Sequence, residues 1–221
     1  MLKILKIIWK KIITDFYQNG VVATLHNLNN ANTKELEKQL DFISEDKPME
    51  LILPCLFSEL ESDALKNILK KINKVNFLQH IIIGLDKANQ EQFKFAKKYF
   101  SNLNTSYSIL WNDGPRLQKL QKELNRKELA NVEDGKGKNV WYCIGFAIAR
   151  NSAEAVVFHD CDIKTYDESI LIKLLYPLLN ESMGYSFSKG YYSRYADNKL
   201  NGRVTRLLVT PLVKSLMKLF G

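Results

Sequence analysis

Three cysteines, Cys55, Cys143 and Cys161, are all this 221-residue chain has, and none form a C-x-x-C pair. An odd count without that spacing fits reduced thiols in a cytoplasmic compartment. Cys161 sits alone between two aspartates and reads as a small filler residue. No apolar run approaches the roughly 20 residues that span a bilayer, and the start of the chain carries no signal-peptide cleavage pattern. Only 10 Gly and 5 Pro are present, so the chain is not a low-complexity tract. No repeat of fixed period occurs. There is no arginine-rich run and no zinc-finger or RNP-like motif, which argues against nucleic acid as the partner.

Against these absences stand a 46% hydrophobic content and a formal charge of +8. The first supports one sizeable core. The second favours anionic partners such as phosphorylated metabolites, nucleotides or an acidic membrane face. In residues 1–16, Leu2, Leu5, Trp9, Ile12, Ile13 and Phe16 recur at helical spacing with Lys3, Lys6, Lys10 and Lys11 between them. Such a basic amphipathic helix can pack on its own domain, on a partner subunit or on an anionic membrane.

Beyond it the pattern predicts a helix over 32–46, with Asn32 as cap and Glu35 reciprocating. Then strands and helices alternate. Strands are predicted at 49–53 (closed by Pro54), 77–84, 106–111, 155–159 and 183–188. Helices are predicted at 58–72, 90–100, 114–126, 139–151 (apolar on several sides, hence buried) and 167–179. This alternation implies an α/β chain with a mainly parallel sheet flanked by helices. Ligands of such sheets bind beyond the carboxyl ends of the strands.

The run Ala155-Val156-Val157-Phe158-His159 ends in Asp160-Cys161-Asp162. Two carboxylates at i, i+2 after a buried strand can converge on one cation. Mg²⁺ and Mn²⁺ take oxygen ligands and share them with substrate phosphates. D-x-D alone is also an ordinary polar strand end. Gly135-Lys136-Gly137 precedes a helix, where free backbone amides and a lysine favour phosphate. In the loop after the first strand, Ser58 as helix cap with Glu61 as its box partner is the plain structural reading.

Leu53-Pro54-Cys55-Leu56-Phe57-Ser58-Glu59, the G-K-G-x-x-x-W segment, D-x-D, Lys189-Gly190-Tyr191-Tyr192-x-Arg194 and Gly202-Arg203-Val204-Thr205 occur in that order. Together they resemble glycosyltransferases of the GT-A (Rossmann-like) fold, and the last two are similar to the glucosyl-3-phosphoglycerate synthases. The resemblance runs from about residue 49 to the end. It implies a nucleotide-sugar-binding domain at 47–221, incomplete at its C-terminus, which follows the helical extension expected at 1–46. It implies that Pro54, Leu56, Glu59 and Asp86 hold the nucleoside, that Lys136 lies near the donor phosphates, and that Asp160 and Asp162 hold Mg²⁺ or Mn²⁺. Gly202, Arg203, Val204 and Thr205, with Lys189, would grip the acceptor. Gly84-Leu85-Asp86 departs from the commoner D-S-x-S of such enzymes.

The implied reaction moves a hexose, glucose by resemblance, from a nucleotide diphosphate sugar to 3-phosphoglycerate with retention. Family members continue past Pro211-Leu212 and supply a histidine metal ligand that His26, His80 and His159 come too early to match. The chain reads as an N-terminal part, whether truncated, split or degenerate. Two rivals stay open: a transferase of the same fold with a lipid-phosphate or other acceptor, motivated by residues 1–16, and a non-catalytic nucleotide-binding fragment. The resemblance also leaves room for a homodimer.

Overall fold

The computed structural model describes residues 25–129, 133–190, 195–196, 199–200 and 205–220. They divide into two compact units, residues 32–190 and the segments on either side of that range. The amphipathic pattern of 1–16 lies outside the described residues, as do Tyr191 to Arg194 and Gly202 to Val204.

The larger unit alternates as α1 (Thr33–Ile43), β1 (Met49–Leu56), α2 (Asp63–Ile72), β2 (Leu78–Asp86), α3 (Gln90–Phe100), β3 (Tyr107–Trp111), α4 (Pro115–Arg126), α5 (Lys136–Arg150), β4 (Ala155–Phe158) and α6 (Glu168–Leu179). Its four strands lie in the order β3-β2-β1-β4, every neighbouring pair parallel. β1 and β2 are buried at nearly every position because each is covered on both faces. Ile52 and Ile82 pack under Cys143 and Ala147 of α5. Alternation sends Leu51, Leu53, Ile81 and Ile83 to the opposite face, and all four are buried.

Several expected boundaries move for identifiable reasons. Pro54 does not close β1, which continues through it to Leu56. Ile52 accepts the His159 amide on the β4 side, and β4 pairing reaches no further than Ile52. Backbone groups two residues apart face the same neighbour, so the amide that Pro54 lacks falls where no strand needs it. The expected helix over 58–72 is a 3-10 turn (Phe57–Glu61) followed by α2. Its cap is Ser62, whose hydroxyl accepts the Leu65 amide at 3.2 Å, not Ser58. The Asn32 side chain makes no cap hydrogen bond; its carbonyl accepts the Glu35 and Leu36 amides at 3.0 and 3.1 Å. α5 starts at Lys136, three residues early, from Gly135 with φ 137°. It is not buried all round: the sheet covers Asn139, Tyr142, Cys143 and Ala147, while Trp141, Ile144 and Ile148 are exposed. No strand forms over 183–188, where Gly184 at φ 65° turns the chain out of the extended region.

The second unit contains an antiparallel pair, β5 (Tyr195–Ala196) with β6 (Lys199–Leu200), then a π-helical turn (Thr205–Val209) that runs into α7 (Thr210–Phe220).

Candidate active site

The chain builds β1, β2 and β3 outward in one direction, then crosses back to lay β4 on the other side of β1. The crevice between the carboxyl ends of β1 and β4 is therefore the topological switch point, where open α/β sheets bind ligands. Two loops meet there: the 3-10 turn after β1, with Glu59, and the turn after β4, with Asp160 and Asp162. The first turn of α5 brings Lys136 to the same place, and its Nζ donates to Asp160 Oδ1.

Three carboxylates thus face one ammonium. Lys136 and Asp160 keep 62% and 53% of their side-chain surface exposed, so the pair is open to water and to ligands. Burial lowers the affinity of Lys136 for its proton, but Asp160, Asp162 and Glu59 together outweigh it and hold the ammonium above its ordinary pKa. Glu59 is half-buried. Its burial, with the Asp162 charge adding, pushes its carboxyl upward against the opposing pull of the Leu56 amide, Cys55 and Lys136. Glu59 Oε2 accepts that amide at 2.7 Å, which fixes the turn after β1. The cluster carries surplus negative charge, and a divalent cation is the species that would neutralise it.

Of the residues singled out in the sequence, Glu59, Lys136, Asp160 and Asp162 come together. Leu56 and Asp86 are register partners at the carboxyl edge of β1 and β2. Leu56 is 37% exposed at the rim, while Pro54 is buried within the strand. Lys189 is exposed in the irregular stretch after α6 and forms no ion pair among the described residues. Gly202, Arg203 and Val204 fall outside the described residues, and Thr205 opens the π-helical turn of the second unit.

Two residues at this edge escaped the sequence reading. Lys138 pairs with Asp134 at 2.6 Å, with a side chain only 11% exposed. That bond raises its pKa, and Tyr142 and Asp86 add to the effect. Its signal was the second lysine of G-K-G-K, two residues after Lys136. Asn139 donates to the Gly84 carbonyl at 2.7 Å and pins α5 to β2. A Cβ on Gly84 would sit 1.8 Å from Asn139 Oδ1 and 2.6 Å from Cys143 Sγ. Glycine in Gly84-Leu85-Asp86 is thus set by close packing of the helix that carries Lys136. His159, beside the acidic pair, faces inward, its Nδ1 2.8 Å from the Tyr166 hydroxyl. Burial pushes its imidazole down to about 4, so it is neutral at pH 7.

No protein-family model matches the chain. Two curated proteins do. Glucosyl-3-phosphoglycerate synthase of Persephonella marina is 40% identical over 209 residues, 95% of this chain and 52% of that protein. The enzyme of the same name from Methanococcoides burtonii is 34% identical over 206 residues, 91% and 50% respectively. The chain is a homologue of the glucosyl-3-phosphoglycerate synthases. It spans about half the length of the curated relatives it matches. Among solved structures, glucosyl-3-phosphoglycerate synthase from Mycobacterium tuberculosis in complex with Mn²⁺ and UDP-glucose superposes with a TM-score of 0.52 at 21% identity, over 81% of this chain and 53% of that one. Its complex with phosphoglyceric acid gives 0.51 at 21% identity, over 81% and 54%. At that identity the likeness shows the fold, which is of GT-A type. No helix among the described residues is long and apolar enough to cross a membrane.

Proposed function

We propose that this chain carries the donor half of a retaining, metal-dependent hexosyl transfer, moving glucose from UDP-glucose to 3-phosphoglycerate. The observation that carries the reading is the surplus of carboxylate at the β1/β4 switch point, in a chain more than nine-tenths of which aligns with enzymes of that name. Asp160 and Asp162 are the residues that would hold the cation, since they offer oxygen donors only. Mn²⁺ is the ion named with the M. tuberculosis neighbour, and Mg²⁺ shares its preference for oxygen. When bound, the ion supplies Lewis-acid stabilisation of the leaving diphosphate.

The remaining roles fall to the chain's own groups. Lys136 bonds Asp160 here. At the start of α5 its ammonium, with the free backbone amides there, would meet the donor phosphates. Glu59 holds the β1 turn through the Leu56 amide, leaving Pro54, Leu56 and Asp86 as the floor for the nucleoside. Gly202, Arg203, Val204 and Thr205, with Lys189, are assigned to the acceptor's phosphate and carboxylate, for which an arginine fork is suited. Retention requires no carboxylate nucleophile from this segment. We assign 1–46 to a helical extension and 47–221 to the nucleotide-sugar domain. Three free, buried thiols suit a reducing, cytoplasmic compartment.

The test is product formation. The 221-residue chain, incubated with UDP-glucose, 3-phosphoglycerate and Mn²⁺, yields glucosyl-3-phosphoglycerate by mass spectrometry and loses that activity on chelation. Absence of product combined with metal-dependent UDP binding favours the nucleotide-binding fragment. Transfer to a lipid phosphate in preference to 3-phosphoglycerate favours the other rival and overturns the acceptor assignment.

A further inference from the structure

Next to the acidic pair lies a second set of metal-ligating side chains, two thiols that the transfer reaction does not use and Glu59, which both clusters share. Cys55, the penultimate residue of β1, and Cys161, between Asp160 and Asp162, are each about 1% exposed. Their sulfurs and one Glu59 carboxylate oxygen lie within 4.8 Å of one another. Cys55 Sγ also sits 3.3 Å from the Leu56 carbonyl oxygen. Oε2 of Glu59 is committed to the Leu56 amide, which leaves its other oxygen for a cation. Tyr99 adds an independent sign. Its hydroxyl is buried with no partner among the described residues, and burial, with both sulfurs adding, disfavours its phenolate.

We propose that Cys55, Cys161 and Glu59 form a second cation site, selective for a thiophilic d¹⁰ ion such as Zn²⁺ or Cd²⁺, next to the Asp160–Asp162 pair. Tetrahedral zinc with sulfur at about 2.3 Å places its donors roughly 3.8 Å apart, so the three groups need to close by about 1 Å at most. On binding, each thiol breaks its S–H bond, releases a proton to solvent and donates the thiolate pair to the ion. Nothing is oxidised. Water takes the fourth position. The Tyr99 hydroxyl supplies the outer hydrogen bond that metal-bound thiolates commonly receive. Soft sulfur donors separate this site from the all-oxygen pair next to it, which selects Mg²⁺ or Mn²⁺. A dication on the sulfurs repels one on the aspartates, so occupation inhibits the neighbouring site. That consequence, unlike the binding, rests on the reading of Asp160 and Asp162 as donor-metal ligands.

Cd²⁺ titration of the full chain tests the binding. The expected result is one equivalent taken up with a thiolate-to-metal ultraviolet band. That band is lost in Cys55→Ser and in Cys161→Ser and kept in Cys143→Ser. Cadmium NMR of the unmutated chain gives a reading that does not depend on any variant folding: the resonance falls in the range of mixed sulfur and oxygen ligation. No band, a resonance typical of oxygen ligands alone, or a band that survives in folded Cys161→Ser overturns the proposal. In the same titration, Mn²⁺-dependent UDP binding falls as cadmium saturates the chain and is spared in Cys161→Ser. UDP binding that ignores bound cadmium overturns the inhibitory role. A cadmium site in a chain that never binds UDP with Mn²⁺ overturns the donor-site reading instead.

Discussion

Glu50 in β1 and Glu59 in the turn that follows it stand at opposite edges of the sheet, and their surroundings are opposite too. Glu50, at the amino edge, is 1% exposed and bonded to Arg150 Nε at 3.1 Å and Ser152 Oγ at 2.7 Å. One buried acid meets one cation and one hydroxyl. Glu59, at the carboxyl edge, shares its neighbourhood with Asp160, Asp162 and a single lysine, all reachable by solvent. A buried charge without a partner is costly, so the closed edge is matched. The surplus charge sits where water and a ligand can reach it. The amino edge of the strand thus holds a matched charge, and the turn beyond its carboxyl edge holds unmatched ones.

Removing the partner at the closed edge has the largest expected effect on stability. Arg150→Met leaves Glu50 buried with only Ser152 and costs about 3 kcal/mol in urea unfolding. A loss below about 1 kcal/mol would mean the amino edge is not held by that pair. Gly84→Ala tests whether the open edge depends on a tight anchor below it. Its Cβ meets Asn139 and Cys143 at 1.8 and 2.6 Å, and the overpacking costs about 2 kcal/mol. Nucleotide affinity should fall with it as α5 shifts Lys136.

Asp167, beyond the acidic loop, shows that the carboxyl edge can also hold a matched charge. It caps α6 through the Ser169 amide at 3.1 Å and pairs with Lys71 at 2.8 Å. Lys71 holds its carboxyl well below the ordinary 3.8. Its contribution is therefore present above pH 3.8 and is lost as pH falls below that value. Asp167→Asn is expected to lose about 1 kcal/mol or less at pH 7 and to flatten the acid limb of stability against pH. An unchanged acid limb would remove the pair from the account. The smallest effect has the opposite sign. Asp162→Asn relieves repulsion with Glu59 and raises the metal-free stability by about 0.5 kcal/mol. A loss there would mean the open edge is not electrostatically overloaded.

The alternation of strands and helices was legible because buried parallel strands are continuous apolar runs, and Gln90–Phe100 was read at its observed bounds. What escaped depended on neighbours. Pro54 reads as a strand stop unless one knows that β4 no longer needs its amide. The apolar residues of α5 read as all-round burial, but only one face meets the sheet. The alternation of 183–188 suggested a strand that Gly184 bends away. The short pair of Tyr195–Ala196 and Lys199–Leu200 is too brief to leave a pattern. At the candidate site, D-x-D and G-K-G were visible as motifs. That Lys136 meets Asp160 and that Glu59 joins them is tertiary information, as is the convergence of Cys55 with Cys161. A lone cysteine between two aspartates looks like filler until its partner arrives from another strand.

The proposed transfer needs the surplus carboxylate at the switch point to act through a cation. Calorimetry of UDP-glucose with and without Mn²⁺ measures this directly. The prediction is binding that requires Mn²⁺ and disappears in Asp162→Asn although that variant stays folded. Equal affinity without metal, or unchanged binding in Asp162→Asn, would contradict it.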